Sequence, residues 1–370
     1  MKTASRFLMI AAIAGAAQAA PFLAMGDNAE LFLTGAAKVS YDDNIYLATT
    51  KAKSDLILSV TPGFDLVFGK GSATTGNFYY REEFQAYTDH DQQNTTLSNV
   101  GVNTRFDSGK SKYNFGASYA QLAMNTSDLR GSDQIVRREV INVGGDSEFG
   151  LSEKTSLGIA IKFDNTDYSP KGFTDLESWT LPIDVYYKYS EKLETSVGYR
   201  YRDNKLGGTA LDNQDHFFSL GARGEFTPKV KGQVRMGYTQ RTFERGSDQS
   251  AFGLEGSLTY ADSEKTSYQF NFSNDFGNAA TGDSTKNFSL GVSANANLTE
   301  QWAMNAGLNY RGSKYPTRKD DFVTAQVGVT YNYNAFVNFN AGYNYTDNRS
   351  DSRPAEFTDN MFYVGAGIRY

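Results

Sequence analysis

The side chains of this sequence that could carry out chemistry include two histidines. His90 lies in Thr88-Asp89-His90-Asp91, where an aspartate beside a histidine could form a general base. No serine motif and no second carboxylate pair is recognisably placed with it, so a solvated acidic loop is the better interpretation. His216 precedes two phenylalanines near the start of a predicted strand, where an interfacial histidine is a sufficient interpretation. We therefore expect no catalytic residue and predict that the protein is not an enzyme.

Acidic residues are also grouped where a metal ion could bind. Asp42-Asp43-Asn44 and Asp320-Asp321 offer carboxylate and amide oxygens, the ligands that Ca²⁺ prefers. Neither group has the spacing of a known calcium-binding loop, so loop polarity is the default interpretation. We expect no metal and no other cofactor.

The remaining candidate residues are basic, and they can act together only if β-strands place them on one face. The last ten residues show the strand pattern most clearly, since Phe362, Val364, Ala366, Ile368 and Tyr370 occupy every second position. Period-two alternation is typical of a strand with one apolar face and one wet face. The 24 tyrosines and 26 phenylalanines of the chain also favour strands over helices.

Polar turns recur along the chain with an internal period. Six of them are Ser152-Glu153-Lys154, Ser190-Glu191-Lys192, Thr227-Pro228-Lys229, Ser263-Glu264-Lys265, Thr299-Glu300-Gln301 and Tyr333-Asn334-Ala335. Successive turns are 34–38 residues apart, which leaves room for two long strands and one longer loop. The period predicts about 18 antiparallel strands, with short turns and both termini on the periplasmic side. A propeller is disfavoured, because its blades need four short strands per repeat.

The predicted size of the ring indicates its environment. About 18 strands enclose a space too wide to fill with side chains, so the inner face must be wet and the outer face lipid-bound. The chain has a mean hydropathy of −0.51 and no long apolar stretch after its N-terminus, which excludes a helical membrane protein. With no cysteine, stability must come from a closed hydrogen-bonded network. We predict an all-β fold, a closed antiparallel transmembrane barrel.

The N-terminal residues have the features of a secretory signal peptide. Lys2 and Arg6 precede an apolar run from Phe7 to Ala17, and Ala17-Gln18-Ala19 is a small-residue cleavage site. The run is too short to cross a bilayer as a helix. We predict a signal peptide over residues 1–19 and an outer-membrane barrel domain over residues 20–370.

Two segments and the loop lengths complicate this picture. Residues 76–87 and 135–149 alternate poorly, and Glu82 must face lipid if Phe78 and Tyr80 do. A bulge, a strand end above the bilayer or a register error would explain Glu82. The longest loops have about 12 residues, so we expect none to fold deep into the barrel as a constriction. Side chains alone, or a gating partner, would then narrow the lumen.

The face opposite the apolar one places a series of basic residues in the lumen. The pore-lining candidates are Arg105, Lys162, Arg200, Arg202, Arg223, Arg235 and Arg311. On the whole predicted inner face basic residues outnumber acidic ones, although the chain has a formal net charge of −6. Rings of basic residues favour anions, which predicts a weakly anion-preferring pore. A salt-bridged, solvated wall without net selectivity is the alternative.

Three stretches near the N-terminus carry a resemblance to a known family. Val39-Ser40-Tyr41-Asp42-Asp43-Asn44-Ile45-Tyr46, followed by Ser54-Asp55-Leu56 and Val60-Thr61-Pro62-Gly63, resembles the first strands of the beta-barrel porin 2 family. The resemblance implies an outer-membrane porin and suggests a link to exopolysaccharide export. The last strand is similar to the closing strand of bacterial outer-membrane barrels, where a C-terminal aromatic such as Tyr370 is the assembly signal.

These features predict a passive porin of the bacterial outer membrane, a water-filled channel for hydrophilic solutes or an exopolysaccharide chain. The expected partners are outer-membrane lipid, the barrel assembly machinery and a periplasmic export partner. The acidic net charge argues against nucleic acid. A surface receptor, an adhesin or a structural barrel with little transport is the alternative, and single-channel conductance separates it from a porin.

Overall fold

The structure, a computed structural model, describes residues 20–109, 111–129, 134–169 and 171–370. The predicted signal peptide, residues 1–19, lies outside the described residues, and its boundary stays a prediction. Most of the described chain is β-strand, interrupted by two short 3-10 helices, Asp91–Gln93 and Arg353–Ala355. No helix in these ranges is long and apolar enough to cross a membrane.

The described residues form 19 strands in one antiparallel sheet. They are β1 (Leu23–Met25), β2 (Ala29–Asp42), β3 (Asp55–Phe68), β4 (Thr74–Tyr87), β5 (Thr95–Asp107), β6 (Ser111–Ala123), β7 (Arg137–Gly150), β8 (Thr155–Tyr168), β9 (Leu176–Lys188), β10 (Leu193–Leu206), β11 (Asn213–Thr227), β12 (Val230–Phe243), β13 (Gln249–Ala261), β14 (Thr266–Asn278), β15 (Ser284–Asn297), β16 (Trp302–Lys314), β17 (Lys319–Asn332), β18 (Val337–Ser350) and β19 (Phe357–Arg369).

Consecutive strands pair with each other, and β19 pairs back with β2. The strands from β2 to β19 therefore close a ring of 18, which confirms the predicted architecture. The short strand β1 lies outside this ring and pairs only with the start of β2. Closure leaves no open edge among the 18 ring strands, as lipid requires.

The predicted turns all fall between strands, at one end of the barrel. At Thr227-Pro228-Lys229, for example, β11 ends at Thr227 and β12 begins at Val230. We call this end, which also holds Ala20 and Tyr370, the turn end, and the opposite end, with the nine remaining connections, the loop end. The assignment of the turn end to the periplasm stays a prediction.

Alternation sorts each strand into two faces. On β17 the outer face presents Val323, Ala325 and Val327, whereas Thr324 and Gln326 face the lumen. Aromatic residues border the apolar outer band, since Trp179 and Tyr187, like Phe362 and Tyr370, are eight positions apart. Eight residues of a tilted strand rise roughly 20 Å, close to the height of a lipid-facing band.

The two poorly alternating segments are ordinary ring strands, β4 and β7. Glu82 faces outward, where its carboxylate accepts hydrogen bonds from the hydroxyls of Tyr80 and Ser98. Pairing between β3 and β4 is interrupted next to Pro62, which has no N–H to donate. The outer face of β4 is therefore still the apolar one, and the Glu82 carboxylate is accommodated on it by two hydroxyl groups.

The seam between the first and last ring strands is completed by side chains. The ladder of β2 and β19 stops at Asp42 and Met361. Beyond it, the Asp43 carboxylate accepts bonds from the backbone and side-chain nitrogens of Asn360, at 2.8 and 2.7 Å. The Asn44 amide donates to the Thr358 carbonyl at 2.8 Å. Two residues of the family-like motif thus extend the ladder where the backbone leaves it.

The C-terminal residue closes the seam at the turn end. Tyr370 exchanges backbone hydrogen bonds with Leu33, at 2.6 and 2.9 Å. Its ring contacts those of Phe22 and Phe336, with centroid distances of 6.1 and 5.4 Å. The role of Tyr370 as an assembly signal stays a prediction.

Candidate functional site

The lumen is narrowed at the loop end by a loop that crosses it. Between β6 and β7 the structure describes residues 124–129 and 134–136, and Arg311 on β16 donates to the Ser127 hydroxyl of this loop at 2.6 Å. Strands β7 and β16 lie on opposite sides of the ring. In the same region, burial and the nearby carboxylates of Asp128 and Asp320 raise the pKa of Tyr315. The contact with Arg311 lies near the loop end, so the loop covers the mouth, and the expectation that only side chains or a partner would narrow the lumen is wrong.

Apolar residues explain why this loop turns inward. On one side of it, Ile135 packs in a buried cluster with Ile45, Tyr46, Ile57 and Tyr87. On its other side, a second buried cluster contains Leu129, Val136 and Ala280, with Tyr168 and Phe173 packed against it. Loop length gave no sign of this, because burying apolar side chains, and not the number of residues, drives the loop into the mouth.

Hydrogen bonds hold the loop between β6 and β7 and its neighbouring loops to one another at the loop end. The Asn125 amide donates to the Tyr46 carbonyl, and the Gln93 amide to the Tyr46 hydroxyl, both at 3.3 Å. His90 lies 2.7 Å from the buried carboxylate of Asp55, which also accepts bonds from the Thr88 backbone and hydroxyl. The histidine considered as a general base therefore anchors a loop.

The acidic groups considered for calcium also have structural partners. The carboxylates of Asp42, Asp43 and Asp359 offer ligand atoms within 4.8 Å of one another, but Asp43 is occupied by the seam. Asp320 and Asp321 point to opposite faces of β17, so they cannot share an ion.

Four of the predicted pore-lining arginines lie in a dense ion-paired region on one side of the lumen. Arg200 donates to Glu255 and Asp275, both at 2.7 Å. Arg202 and Arg241 share Asp215, which Arg202 contacts through Nε at 2.8 Å and Arg241 through Nη2 at 2.8 Å. Arg241 has no exposed side-chain surface. These guanidinium groups are packed as in a protein core.

The ion pairs continue toward the turn end. Arg235 donates to Asp184 at 2.7 Å and to Glu255 at 3.0 Å. Arg223 donates to Glu194 and Glu148, both at 2.7 Å, and lies over the Tyr186 ring at 3.4 Å. We call this region the ionic wall; it consists of Glu148, Asp184, Glu194, Arg200, Arg202, Asp215, Arg223, Arg235, Arg241, Glu255 and Asp275.

The ionic wall also reports the shape of the barrel. Arg200 on β10 reaches Asp275 on β14, four strands away, a path of about 19 Å along the sheet. An arginine and an aspartate side chain together are shorter than that path. The sheet must therefore bend sharply here, and the ion pairs fill the concave side of the bend.

The predicted excess of basic residues on the inner face is not present. Acidic residues that were not counted, among them Glu148, Asp164 and Asp215, also face the lumen, and Glu148 and Asp215 form ion pairs there. Glu148 lies in a poorly alternating segment, and Asp215 comes directly before His216, near the expected start of a strand. Neither residue was therefore assigned to the inner face. Arg200, Arg202, Arg223 and Arg235 are thus neutralised locally.

The other three predicted pore-lining residues lie outside the ionic wall but on the inner face. Arg105 lies near the turn end and is paired with Asp107 at 3.3 Å, with more than half of its side chain exposed. Lys162 is exposed, and no carboxylate of the described residues lies within 4.0 Å of its amino group. Arg311 holds the crossing loop and lies over the Phe322 ring at 4.9 Å.

A second part of the lumen, next to the ionic wall along the ring of strands, carries amides and hydroxyls. We call the inner face of β15–β18 the neutral wall; its members are Ser289, Ser293, Asn295, Asn305, Asn309, Thr324, Gln326, Thr330, Asn338, Asn340 and Asn344. Among the described residues of this face, the charged ones are Arg311 and Asp320, both close to the loop end. This surface was not singled out from the sequence, because isolated amides in alternating strands resemble ordinary polar positions.

Glycines allow the neutral wall to be smooth. A Cβ on Gly328 would lie 2.7 Å from the Asn305 amide oxygen, and one on Gly365 would lie 2.9 Å from that of Asn340. Each amide therefore lies flat over a glycine of the neighbouring strand, and a larger residue there would push it into the lumen. The wall presents donors and acceptors without projecting side chains.

Comparison with known proteins agrees with this architecture. The family model described as "Putative beta-barrel porin 2" matches residues 21–370. The chain belongs to this family. This porin is a protein of the bacterial outer membrane, and its outer face contacts lipid. No curated protein matches its sequence.

Solved structures that this chain is similar to include outer-membrane proteins of Pseudomonas. OccK2 (OpdF) of Pseudomonas aeruginosa, in complex with glucuronate, has a TM-score of 0.51 at 10% identity, covering 92% of this porin and 98% of that chain. OpdK of the same species with vanillate has a TM-score of 0.49 at 10% identity, covering 92% and 99%. A BenF-like porin of Pseudomonas fluorescens Pf-5 has 0.49 at 10% identity, covering 93% and 99%. At this identity the likeness to OccK2 shows the fold alone.

Proposed function

We propose that this porin is a passive channel for small, uncharged hydrophilic solutes, which diffuse along the neutral wall. The observation that supports the proposal is the contrast between the two sides of the lumen. On the ionic wall each predicted arginine already contacts a carboxylate, whereas amides such as Asn309 and Gln326 of the neutral wall are exposed. On the neutral wall a solute meets exposed, uncharged hydrogen-bonding groups.

The mechanism follows from hydrogen-bond exchange. An amide offers both donors and acceptors, so it can replace the water lost by a hydroxyl-bearing solute. A charged wall would bind its counter-ions and hold them, while a neutral wall gives weak contacts that are easily released. Passage therefore needs no energy source, and the apolar clusters at the loop end limit the size of what enters.

Ion selectivity is proposed to be weak. Of the seven predicted pore-lining residues, Lys162 and Arg105 keep substantial exposure, and Arg105 has an acidic neighbour. The anion preference expected from the sequence would then rest chiefly on Lys162. Arg200, Arg202, Arg223 and Arg235 would act by holding the bend of the ionic wall.

An exopolysaccharide chain is a second candidate cargo. It shares the chemistry of an uncharged hydroxyl-rich solute, and the neutral wall runs along several strands. The crossing loop would have to move aside for a chain, so this candidate needs a periplasmic export partner or another trigger. We also propose that the barrel assembly machinery recognises Tyr370 as the assembly signal. A receptor or adhesin with little transport is the alternative function.

The test combines conductance with solute uptake. In a planar bilayer the purified porin is expected to give an ohmic channel with a small reversal potential across a salt gradient. In liposome swelling, neutral sugars should enter faster than sugar acids or amino sugars of the same size. Absence of conductance and swelling would favour the receptor alternative. Faster uptake of sugar acids would mean that the arginines of the lumen bind the passing solute, which contradicts the proposal.

A further inference from the structure

An aromatic ring borders the neutral wall at mid-height of the barrel. Tyr363 on β19 faces the lumen and is paired across the sheet with Gly342 of β18. A Cβ on Gly342 would lie 2.5 Å from the Cζ atom of the tyrosine, so the ring lies flat on the wall over this glycine. Tyr363 is half-buried, which leaves one face of the ring toward the lumen.

Amides surround this ring. The row across the sheet runs from Tyr363 through Gly342 and Gly328 to Asn305. A Cβ on Gly328 would lie 3.3 Å from the Tyr363 hydroxyl and 2.7 Å from the Asn305 amide oxygen, which places these two polar groups side by side. Above and below the row, Gln326, Asn340 and Asn344 occupy the same face.

We infer that Tyr363 and its surrounding amides form a binding subsite for an uncharged sugar ring. The inference rests on the proposed function, and it names the solute class and the residue that holds it. A pyranose has a face of C–H groups and an edge of hydroxyls. The C–H face can stack on the electron-rich face of an aromatic ring, and the hydroxyls can exchange donors and acceptors with amides.

The combination distinguishes this site from other parts of the lumen. Pockets that recognise small molecules pair apolar or aromatic surface with a few polar groups that fix orientation. The described inner-face residues within one step of the row on β16–β18 are neutral, and the charged neighbours of Tyr363 are Lys38 and Asp42 of β2, which flank its cross-strand partner Ser40. The amides therefore lie on one side of the aromatic ring and this oppositely charged pair of residues on the other.

A second tyrosine provides a matched comparison. Tyr79 on β4 also lies over a glycine, since a Cβ on Gly101 would be 2.6 Å from its Cζ atom. Its cross-strand partner is Asp65, and the Arg81 guanidinium lies 5.9 Å from its ring centroid. Tyr79 therefore has the same packing on the wall but charged neighbours, so it separates packing from sugar binding.

The test measures current interruptions by a linear glucose oligomer added to single channels of the full-length porin. The unmodified porin should show resolved interruptions with the sugar and none with polyethylene glycol of similar size. Tyr363→Ala should shorten the sugar residence time by about tenfold, as expected for the loss of one stacking contact. Tyr363→Phe should keep it, and Tyr79→Ala should change neither the residence time nor the salt conductance.

The outcomes are distinguishable. A porin without salt conductance would contradict the proposed function itself. A conducting porin in which Tyr363→Ala and Tyr79→Ala behave alike would overturn the subsite alone. If Tyr363→Ala fails to assemble, Asn305→Ala and Gln326→Ala test the same subsite, and unchanged residence times in both would overturn it.

Discussion

The ionic wall and the neutral wall are neighbouring parts of one lumen, and they use their polar residues in different ways. On the ionic wall, arginines and carboxylates from strands up to four apart interlock, and Arg241 is fully buried. On the neutral wall, amides lie flat over glycines and stay exposed. A charged residue that faces a pore is therefore not necessarily available to the solute, because its ion-pair partners can occupy its charged group.

The comparison predicts its largest effect on stability in the ionic wall. Asp215→Ala removes the carboxylate shared by Arg202 and Arg241, and leaving buried charges uncompensated costs about 3–5 kcal/mol. Chemical unfolding in lipid vesicles measures this loss. Asn309→Ala, at an exposed site of the neutral wall, should change the free energy of unfolding by about 0.5 kcal/mol or less. Similar losses for both variants would contradict the distinction between the walls.

The assignment of faces is tested on a single strand of the neutral wall. Val327→Arg places a cation against lipid and is expected to cost about 2–4 kcal/mol if it lies near the bilayer midplane. Gln326→Arg places the same side chain in the lumen and should be tolerated. Unfolding of the two variants in vesicles compares them directly, and a greater loss for Gln326→Arg would reverse the faces.

The loop end is expected to control conductance. Tyr46 belongs to the buried cluster that supports the crossing loop. Tyr46→Ala should loosen this cluster and raise single-channel conductance, because the loop then leaves more of the mouth open. Tyr41 lies on the outer face of β2, as does Ala37, so Tyr41→Ala is the matched control and should not change conductance. An unchanged Tyr46→Ala channel would show that the loop does not limit flow.

The smallest expected effect concerns ion selectivity. Lys162→Gln removes an exposed charge without a nearby carboxylate and should shift the reversal potential modestly toward cations. The shift should be visible in 0.1 M salt, where the Debye length is about 10 Å, and should nearly vanish at 1 M, where it is about 3 Å. Lys205→Gln, on the outer face of β10, should leave the potential unchanged. Equal shifts would mean that Lys162 does not face the ion path.

Much of the fold followed from local patterns in the sequence. The spacing of turns such as Thr227-Pro228-Lys229 gave the number of strands, because each repeat holds one hairpin and one loop. The alternation at Phe362–Tyr370 predicted the two faces, since a strand can place its apolar residues on one side only. These features depend on neighbours in the chain or on the adjacent strand.

The organisation of the lumen could not be obtained in this way. The pairing of Arg223 with Glu148 depends on how sharply the sheet bends between strands that are four apart. The entry of Leu129, Ile135 and Val136 into the mouth depends on apolar partners such as Tyr46 and Ala280, which lie far away in sequence. The flat amides became visible only when glycines of neighbouring strands were placed beneath them.

The most direct test of the two-wall account is the accessibility of single cysteines to a water-soluble, cationic thiol reagent, since the chain has no cysteine of its own. Cysteine is placed at Asn309 of the neutral wall or at Thr239, which lies fully buried on the inner face of β12 beside the ionic wall. We predict that the reagent modifies Asn309→Cys and lowers its single-channel conductance, while Thr239→Cys conducts unchanged. Modification and block at Thr239→Cys, with Asn309→Cys unaffected, would contradict the account.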